Sequence, residues 1–179
     1  MKKNGSAEKQ LTQTQADEIG HTWSPDGKKI AFMGNMQGNW DIYTINSNGT
    51  DLRQLTNDSA DDEGPQWSPD KKRIAFTSNR DGNAELYMMN ADGSGLERLT
   101  KTVLPESEIN WSPDGKFLMY ISGGNNNAEI YIMDMLTKNV RRLTDNNFRE
   151  ANPAWSPAGT AITFASTREG NFEIYVMQL

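Results

Sequence analysis

The sequence predicts an all-β fold built from four copies of one unit, and three observations support this prediction. The same residues return every 44 positions, each interval holds four short apolar or alternating segments, and turn-forming residues separate those segments. The longest apolar run, residues 117–121, is much shorter than the roughly 20 residues that a transmembrane helix needs. We therefore expect many short strands and no membrane insertion.

The repetition is visible in several independent columns of the sequence. The columns are Trp23, Trp67, Trp111 and Trp155; Tyr43, Tyr87, Tyr131 and Tyr175; Leu11, Leu55, Leu99 and Leu143; and Thr12, Thr56, Thr100 and Thr144. Every column keeps the interval of 44 residues without a gap, which indicates true internal repetition. The four units are predicted at residues 18–56, 62–100, 106–144 and 150–179.

The second unit keeps the pattern most fully and shows how four strands follow one another. Its first strand ends at Trp67, where Ser-Pro-Asp turns the chain because proline fixes φ. The second strand covers residues 74–76, and Asp-Gly-Asn at 81–83 is a strong hairpin pattern that leads to the third strand at 85–87. A glycine-rich turn precedes the fourth strand at 96–100. Four short strands in about 44 residues are typical of one β-propeller blade.

The recurring Trp-Ser-Pro-Asp-Gly segment, first seen at residues 23–27, is interpreted as structural. Its tryptophan is expected to fill the packing between neighbouring blades. The other four residues make a turn, in which glycine accepts a positive φ.

The two ends of the chain predict how the propeller closes. The fourth unit has no segment for its outer strand, whereas residues 8–12 read as an outer strand without a blade of their own. Pairing these two edges would remove an exposed edge from each. We therefore expect one domain over residues 8–179, a β-propeller of four four-stranded blades closed by its N-terminal strand, with residues 1–7 as a flexible tail. A monomeric ring is favoured, and a ring of eight blades from two chains is the alternative.

Composition excludes several classes of function. The net charge of −6 argues against a nucleic-acid surface, and the absence of cysteine excludes disulfides, a thiol nucleophile and a thiolate zinc site. Met1-Lys2-Lys3 is basic, but Asn4-Gly5-Ser6 follows in place of an apolar segment, so no signal peptide is written in this chain. The one histidine, His21, occupies a column where other units have Pro65 and Ile109, which indicates packing. We expect no catalysis and no obligatory cofactor.

Two columns of acidic residues are candidates for a site. The first, five residues before each tryptophan, comprises Glu18, Asp62, Glu106 and Glu150. These acids are expected near the mouth of the central channel, either solvated, or accepting backbone N–H bonds, or holding a calcium ion. The second column comprises Asp41, Glu85, Glu129 and Glu173. Arg80 with Glu85 and Arg168 with Glu173 suggest salt bridges across a hairpin, so the second column is interpreted as structural.

Two aromatic residues are candidate anchors for a partner. Trp40 and Phe172 stand in one column where the other units have Ala84 and Ala128. In a closed ring of four blades they would lie on neighbouring blades. Together with the first acidic column they are the predicted partner-binding residues, and burial of both aromatics against their own blades is the alternative.

The repeated motifs resemble the TolB-type, WD-like propeller repeat. The resemblance rests on Trp-Ser-Pro-Asp-Gly, Asn-Arg-Asp-Gly-Asn before Glu-Leu-Tyr, Asn-Ala-Asp-Gly-Ser-Gly and Leu-Thr, covers the chain from Glu8 onward, and is fullest over residues 67–100. It implies a protein–protein interaction platform, with the periplasm or cell envelope as compartment. The alternatives are a small-molecule or carbohydrate binder with a structural cation in the channel, and an accessory propeller of a larger hydrolase.

Overall fold

The computed structural model describes residues 8–124 and 126–179, so the expected flexible tail at 1–7 lies outside the described residues. All elements of the described part are strands, fifteen in number. The first two groups are β1 (Glu18–Trp23), β2 (Lys29–Gly34), β3 (Asp41–Asn46) and β4 (Arg53–Gln54), then β5 (Asp62–Trp67), β6 (Arg73–Ser78), β7 (Glu85–Asn90) and β8 (Glu97–Arg98). The last two are β9 (Glu106–Trp111), β10 (Phe117–Gly124), β11 (Asn127–Asp134) and β12 (Val140–Arg142), then β13 (Glu150–Trp155), β14 (Ala161–Ser166) and β15 (Glu173–Gln178).

These strands form four separate antiparallel sheets, one for each sequence repeat. The first three sheets have four strands in the chain order, and the fourth has the order β13-β14-β15. The predicted all-β class and the division into four blades are therefore confirmed. No helix of the described residues is long and apolar enough to cross a membrane.

The middle of each blade is held by an aromatic pair. Phe32 lies directly opposite Tyr43 in the register of β2 and β3, and the two rings stack with centroids 5.7 Å apart. Phe76 and Tyr87 repeat this arrangement in the second blade at 5.9 Å. Such pairs stabilise neighbouring strands by about 0.5–1.5 kcal/mol beyond their buried area. The tyrosine column of the sequence thus marks the centre of each blade.

The turn after each repeat tryptophan has the predicted form. In the first blade the amide of Gly27 donates to the carbonyl of Ser24 at 2.8 Å, and Gly27 adopts a φ of 68°. The Ser24 hydroxyl donates to Asp26 at 2.8 Å and accepts from the amide of Lys29 at 2.9 Å. The recurring segment is therefore a turn closed by its own serine and aspartate side chains.

The repeat tryptophans of the second, third and fourth blades join neighbouring blades, as predicted. Trp67 is buried in one cluster with Ala31 and Ile42 of the first blade. The indole N–H of Trp111 donates to the Gln66 carbonyl of the second blade at 3.3 Å. The first strands of successive blades also contact one another, so these strands lie innermost in the array. Each blade therefore packs its inner strand and its tryptophan against the blade before it.

The predicted closure by the N-terminal strand is not confirmed by the structure. β15 pairs only with β14, residues 8–12 form no strand, and no strand of the first blade contacts a strand of the fourth. A Cβ atom added at Gly49 of the first blade would lie 3.4 Å from the carbonyl oxygen of Leu11. The equivalent pair one repeat later is Gly93 of the second blade and Leu55, which follows the outer strand of the first blade, and there the distance would be 3.1 Å. Residues 8–12 therefore lie on the first blade where the outer strand of a preceding blade would lie, and they do not pair with β15.

Candidate functional site

The innermost strands of the array enclose an open cavity of about 500 Å³, which we call the channel cavity. Its walls come from the first strands of the second, third and fourth blades, with Met33 and Thr77 from two second strands. The polar groups on these walls are Glu63, Gln66, Thr77, Ser107, Glu108, Asn110 and Asn152. This cavity is the candidate functional site because it gathers side chains from successive blades at one place.

Two residues of the channel cavity have a backbone conformation that favours glycine. Glu108 and Asn152 have φ values of 54° and 49°. They lie at the bulge of β9 and β13, where the first two blades have Gly20 and Gly64 at 64° and 61°. A residue such as glutamate in this left-handed region costs about 1–2 kcal/mol, and asparagine, which tolerates the region better, costs less. Such a cost at two neighbouring positions that line a cavity points to a role for their side chains.

The two bulges are linked across the blade boundary by a bond from the backbone of Asn152 to the side chain of Glu108. The Asn152 amide N–H donates to the Glu108 carboxylate. Asn110 donates to the carbonyl of Pro153 at 3.0 Å, so it ties β9 to β13 in the same place. The carboxylate of Glu108 is therefore held in position by the fourth blade.

The channel cavity carries negative charge without a neighbouring cation in its walls. Among the described residues, its lining contains the carboxylates of Glu63 and Glu108 and neither lysine nor arginine. Burial, with a smaller contribution from the charge of Asp61, raises the pKa of Glu63. The cavity is suited to hydrogen-bond donors and positively charged groups.

The sequence-based analysis missed Glu108 and Asn152. They stand 44 residues apart in the column of Gly20 and Gly64, so the departure from glycine was visible in the sequence. Without the backbone angles, the two glycines could not be recognised as the residues of a strand bulge.

The first acidic column is buried within the blades. Asp62, Glu106 and Glu150 are each at most 2% exposed, and Glu18 is half-buried. Asp62 lies opposite Ser78 in the register of β5 and β6, at the end of the hairpin. The predicted solvated ring is thus wrong for the three buried acids, which hydrogen-bond with side chains of the protein.

Arginine partners identify the role of two of these acids. Arg80 donates to both carboxylate oxygens of Asp62, at 2.9 and 2.8 Å, and Arg168 contacts Glu150 at 3.2 Å. The predicted hairpin pairs of these arginines with Glu85 and Glu173 are therefore wrong. Ser78 of β6 lies between Asp62 on β5 and Glu85 on β7. Arg80 contacts Asp62, the acid on the first strand of the blade.

Glu106 has no arginine partner because the third blade has Gly124 in the arginine column, just as the first blade has Met36 beside Glu18. The carboxyl group of Glu106 accepts hydrogen bonds from the hydroxyls of Thr100 and Thr102, both at 2.8 Å. Burial raises the pKa of Glu106 to about 7, and the neighbouring carboxyl group of Glu85 adds to this. Glu106 is therefore the partner that retains a proton in this pair of acids from adjacent blades.

Glu85 is the ionised partner of that pair. Burial alone would raise the pKa of Glu85, but hydrogen bonds from Thr100, Glu106, the Thr102 amide and Arg98 outweigh it and lower the pKa. Arg98 contacts one carboxylate oxygen of Glu85 at 3.0 Å. The second carboxylate oxygen of Glu85 is buried, and apart from Glu106 no described side chain donates a hydrogen bond to it. A proton on Glu106 supplies that donor, so one proton serves both carboxyl groups.

The remaining acids of the second column also have local partners. Glu129 contacts Arg142 at 3.0 Å, and Asp41 accepts from Gln54 at 3.0 Å and from Thr56 at 3.2 Å. The structural interpretation of this column is therefore confirmed for the first three blades. The cations Arg98 and Arg142 come from the fourth strands of the second and third blades, and the first blade has the neutral Gln54 in that column.

No group of three or more acidic or histidine residues within 8–124 and 126–179 has the arrangement of a metal site. Calcium at Glu18, Asp62, Glu106 and Glu150 stays one of the alternatives that the sequence left open. His21 is exposed on the first strand of the first blade.

The two predicted aromatic anchors lie at opposite ends of the array. Trp40 is half-buried, and its carbonyl accepts the Asp62 amide of the second blade at 2.7 Å. Phe172 is about half exposed on the fourth blade, with the guanidinium of Arg149 5.5 Å from its ring centroid. Because the strands of the first and fourth blades do not meet, the two rings do not form one surface within a chain.

Comparisons with known proteins agree with this architecture. The family model of the TolB beta propeller domain matches residues 2–129 and 107–179. The chain is similar to the crystal structure of TolB from Acinetobacter baumannii, with 30% identity and a TM-score of 0.76. That match covers 94% of this chain and 42% of the Acinetobacter protein. No match is found among curated proteins.

More distant structures share the fold alone. A puromycin-hydrolyzing peptidase of Mycobacterium tuberculosis matches at 16% identity and a TM-score of 0.75, over 91% of this chain and 30% of the peptidase. A chain of a nidogen/laminin complex matches at 15% identity and a TM-score of 0.70, over 88% of this chain and 64% of the other. The chain thus spans less than half the length of the Acinetobacter and Mycobacterium proteins.

Proposed function

Because the chain belongs to the family of TolB beta propeller domains, we propose that it is a non-catalytic platform for another protein. We further propose that the channel cavity receives a segment of this partner. The family resemblance also supports the periplasm as its compartment. Propellers commonly present ligand sites where the inner strands and their loops converge.

The observation that carries this proposal is the left-handed backbone of Glu108 and Asn152. Two glycines would form the same bulges without strain, as they do at Gly20 and Gly64. The fold gains one hydrogen bond from Glu108, the one that its carboxylate accepts from the backbone N–H of Asn152. A ligand in the cavity would gain a carboxylate that this bond holds in place, together with the side-chain amide of Asn152. The charge of Glu63 and Glu108 favours a partner segment that carries lysine or arginine.

The test is a selection of peptides from a displayed random library on the purified protein. We expect the selected peptides to be rich in basic residues. The affinity of a selected peptide is then measured by fluorescence polarisation for the wild type and for the double variant Glu108→Gly with Asn152→Gly. The double variant should bind about tenfold more weakly, which corresponds to about 1.4 kcal/mol, and should be at least as stable as the wild type.

A matched control separates binding from backbone strain. Lys138 has a φ of 62° in an exposed turn away from the channel cavity, so Lys138→Gly relieves similar strain without touching the site. This variant should bind the peptide as the wild type does. If the selected peptides bind the double glycine variant equally well, the channel cavity is not the binding site. If no peptide is enriched, the proposed platform itself is contradicted.

A further inference from the structure

One column of the repeat covers the aromatic pair at the centre of the blade, and in the third blade this column is glycine. The column comprises Met36, Arg80, Gly124 and Arg168. Met36 packs against the aromatic pair of the first blade, and the two arginines lie on the tyrosine rings of the second and fourth blades. Gly124 has no side chain that could cover the third sheet in the same way.

The two arginines of this column are held by the same three groups. Arg168 donates from Nε to the Ser166 hydroxyl at 3.0 Å and from Nη2 to the Glu150 carboxylate at 3.2 Å. Its guanidinium carbon lies 4.1 Å from the ring centroid of Tyr175. The second blade repeats this arrangement with Arg80, Ser78, Asp62 and Tyr87. A serine hydroxyl, a buried carboxylate and a tyrosine ring therefore bind a guanidinium group in this fold.

The third blade has all three groups around an open cavity of about 350 Å³, which we call the third-blade pocket. Glu106, Ser122 and Tyr131 stand in the columns of those groups and line the pocket. Glu106 and Ser122 are 2% and 7% exposed. Tyr120 adds a hydroxyl to the lining, where the other blades have phenylalanine. The third blade thus has the groups of a guanidinium site, with glycine in the place of the arginine.

The charges at the blade boundaries indicate what the third-blade pocket is suited to bind. At the boundary of the third and fourth blades, two acids pair with two arginines: Glu129, Glu150, Arg142 and Arg168. At the boundary of the second and third blades, Glu85 pairs with Arg98, and Glu106 pairs with no cation among the described residues. A proton on Glu106 takes the place of the second cation there. A cation from outside the chain could replace this proton.

We propose that the third-blade pocket binds the guanidinium group of another molecule, in the place that Arg80 and Arg168 occupy in their own blades. The planar fork of this group donates to Glu106 and to the Ser122 hydroxyl, and its face lies on the ring of Tyr131. An ammonium group has no such fork and makes fewer of these contacts. The proposal is independent of the peptide site, because the described linings of this pocket and of the channel cavity do not overlap.

Apolar residues in the lining suit the stem that carries a guanidinium group. Val103 and Leu104 line the pocket from the link between the second and third blades and are 94% and 46% exposed. The methylene groups of an arginine side chain can pack on such residues. The lining also contains Lys101, which is exposed, and Lys138, which pairs with Glu97 at 3.4 Å. Solvent and Glu97 weaken the repulsion between these lysines and an incoming cation.

Titration with n-butylguanidinium, followed by heteronuclear NMR, tests the site with the group alone. We expect saturable shifts of the amide signals of Thr102 and Ser122, which lie at the pocket. The matched compound n-pentylamine has a chain of similar length and an ammonium group, and it should bind about tenfold more weakly. The absence of saturable shifts with n-butylguanidinium, or equal binding of the two compounds, would contradict a guanidinium site.

Two substitutions of Gly124 form a matched pair. A Cβ atom added at Gly124 meets nothing within 4 Å, so a side chain can begin there without a clash. Gly124→Arg should fill the pocket with its own guanidinium and abolish the binding of n-butylguanidinium, whereas Gly124→Ala should bind as the wild type does. Glu106→Gln keeps the size of the side chain and should weaken binding about tenfold. Unchanged binding in Gly124→Arg or in Glu106→Gln would overturn the proposal.

The proton on Glu106 provides a second readout. A guanidinium replaces this proton, so n-butylguanidinium should bind more tightly as the pH rises from about 6 to about 8. The other titratable or charged groups around the pocket are Glu85, Arg98, Lys101, Tyr120, Tyr131 and Lys138. Hydrogen bonds lower the pKa of Glu85 and burial raises the pKa of Tyr120, so neither titrates in this range. Affinity that does not rise with pH would contradict the exchange of a cation for the proton.

Two further comparisons identify the source of the group and separate this site from the channel cavity. Nα-acetyl-arginine amide presents the guanidinium as a partner protein would, so tighter binding of this compound than of n-butylguanidinium assigns the pocket to an arginine of a partner. Binding of n-butylguanidinium alone assigns it to a small molecule. The variant Glu108→Gly with Asn152→Gly should bind n-butylguanidinium as the wild type does. Loss of binding in this variant would place the ligand in the channel cavity and overturn the proposal.

Discussion

Arg80 donates two hydrogen bonds to Asp62, at 2.9 and 2.8 Å, across the first hairpin of the second blade. Asp62 is fully buried and the side chain of Arg80 is 19% exposed. The guanidinium also lies 4.9 Å from the ring centroid of Tyr87. One arginine thus compensates a buried charge and covers the aromatic pair at the centre of the blade.

Removal of Arg80 is expected to be strongly destabilising. Arg80→Ala leaves the buried carboxylate of Asp62 without its cation, which should lower the free energy of unfolding by about 3 kcal/mol. Urea denaturation measures this change. Arg53→Ala is the matched control, since the side chain of Arg53 is 61% exposed beside Asp51, and its loss should cost less than about 1 kcal/mol. Asp62→Asn in the Arg80→Ala background should restore part of the loss, and a loss no greater than that of Arg53→Ala would contradict the assigned role.

Stability is expected to fall as the pH rises through neutrality. The pKa of Glu106 is about 7 in the folded protein, compared with an ordinary value of 4.5. Between these values the folded protein holds a proton that the unfolded chain has released. The stabilisation is therefore complete below pH 4.5 and is lost as the pH rises through 7. The lowered pKa of Glu85 acts only at more acidic pH, where stability is lost as the pH falls.

Thermal melting on both sides of this pH window measures the effect. Glu106→Gln keeps an uncharged hydrogen-bonding group at all pH values, so the melting temperature of this variant should change much less across the window. Glu97→Gln, a change at an exposed residue of the same blade pair, should behave as the wild type does. An unchanged pH dependence in Glu106→Gln would assign the titration to another group.

Lys71 is a position where glycine should stabilise the fold. Its φ is 67°, and the same turn position is glycine in the other three blades, with Gly115 at 72°. Lys71→Gly should raise the free energy of unfolding by about 0.5–1 kcal/mol because it relieves a left-handed backbone. The reciprocal Gly115→Lys should lower it by a similar amount. Equal stabilities of the two variants, measured by urea denaturation, would refute the expectation.

Calcium is expected not to bind the first acidic column. Asp62 and Glu150 already pair with arginines, and Glu106 accepts from two threonine hydroxyls. A cation at this column would have to displace these partners. Calorimetric titration with calcium chloride should show no saturable heat, and the melting temperature should not rise. A saturable heat that disappears in Glu18→Gln with Glu106→Gln would establish the metal site instead.

The blades were predictable because their causes are local and repeated. Proline and glycine determine the turn after each tryptophan, and the strand boundaries follow from these turns and from the apolar segments between them. The position of Trp67 between blades followed as well, since a large apolar residue kept in every repeat needs a repeated place to be buried.

The acidic partners of the arginines could not be predicted from the sequence, and the reason is geometric. Arg80 is five residues from Glu85 and eighteen from Asp62, so distance along the chain favoured the wrong acid. Both acids flank Ser78 in the sheet, and only the side-chain direction separates them. The closure of the ring could not be predicted from the sequence either. Counting the strands gives the number of blades but not the rotation between neighbouring blades.

Strand contacts join each blade only to the blades that precede and follow it in the chain. The protein is therefore a one-dimensional array, in which stability is roughly the sum of the blades and their three boundaries. A blade can dock on its predecessor as soon as its own 44 residues leave the ribosome, without waiting for a distant partner. Unfolding should in turn begin at the terminal blades, and the amide hydrogens of β6, β7, β10 and β11 should be the last to exchange with solvent.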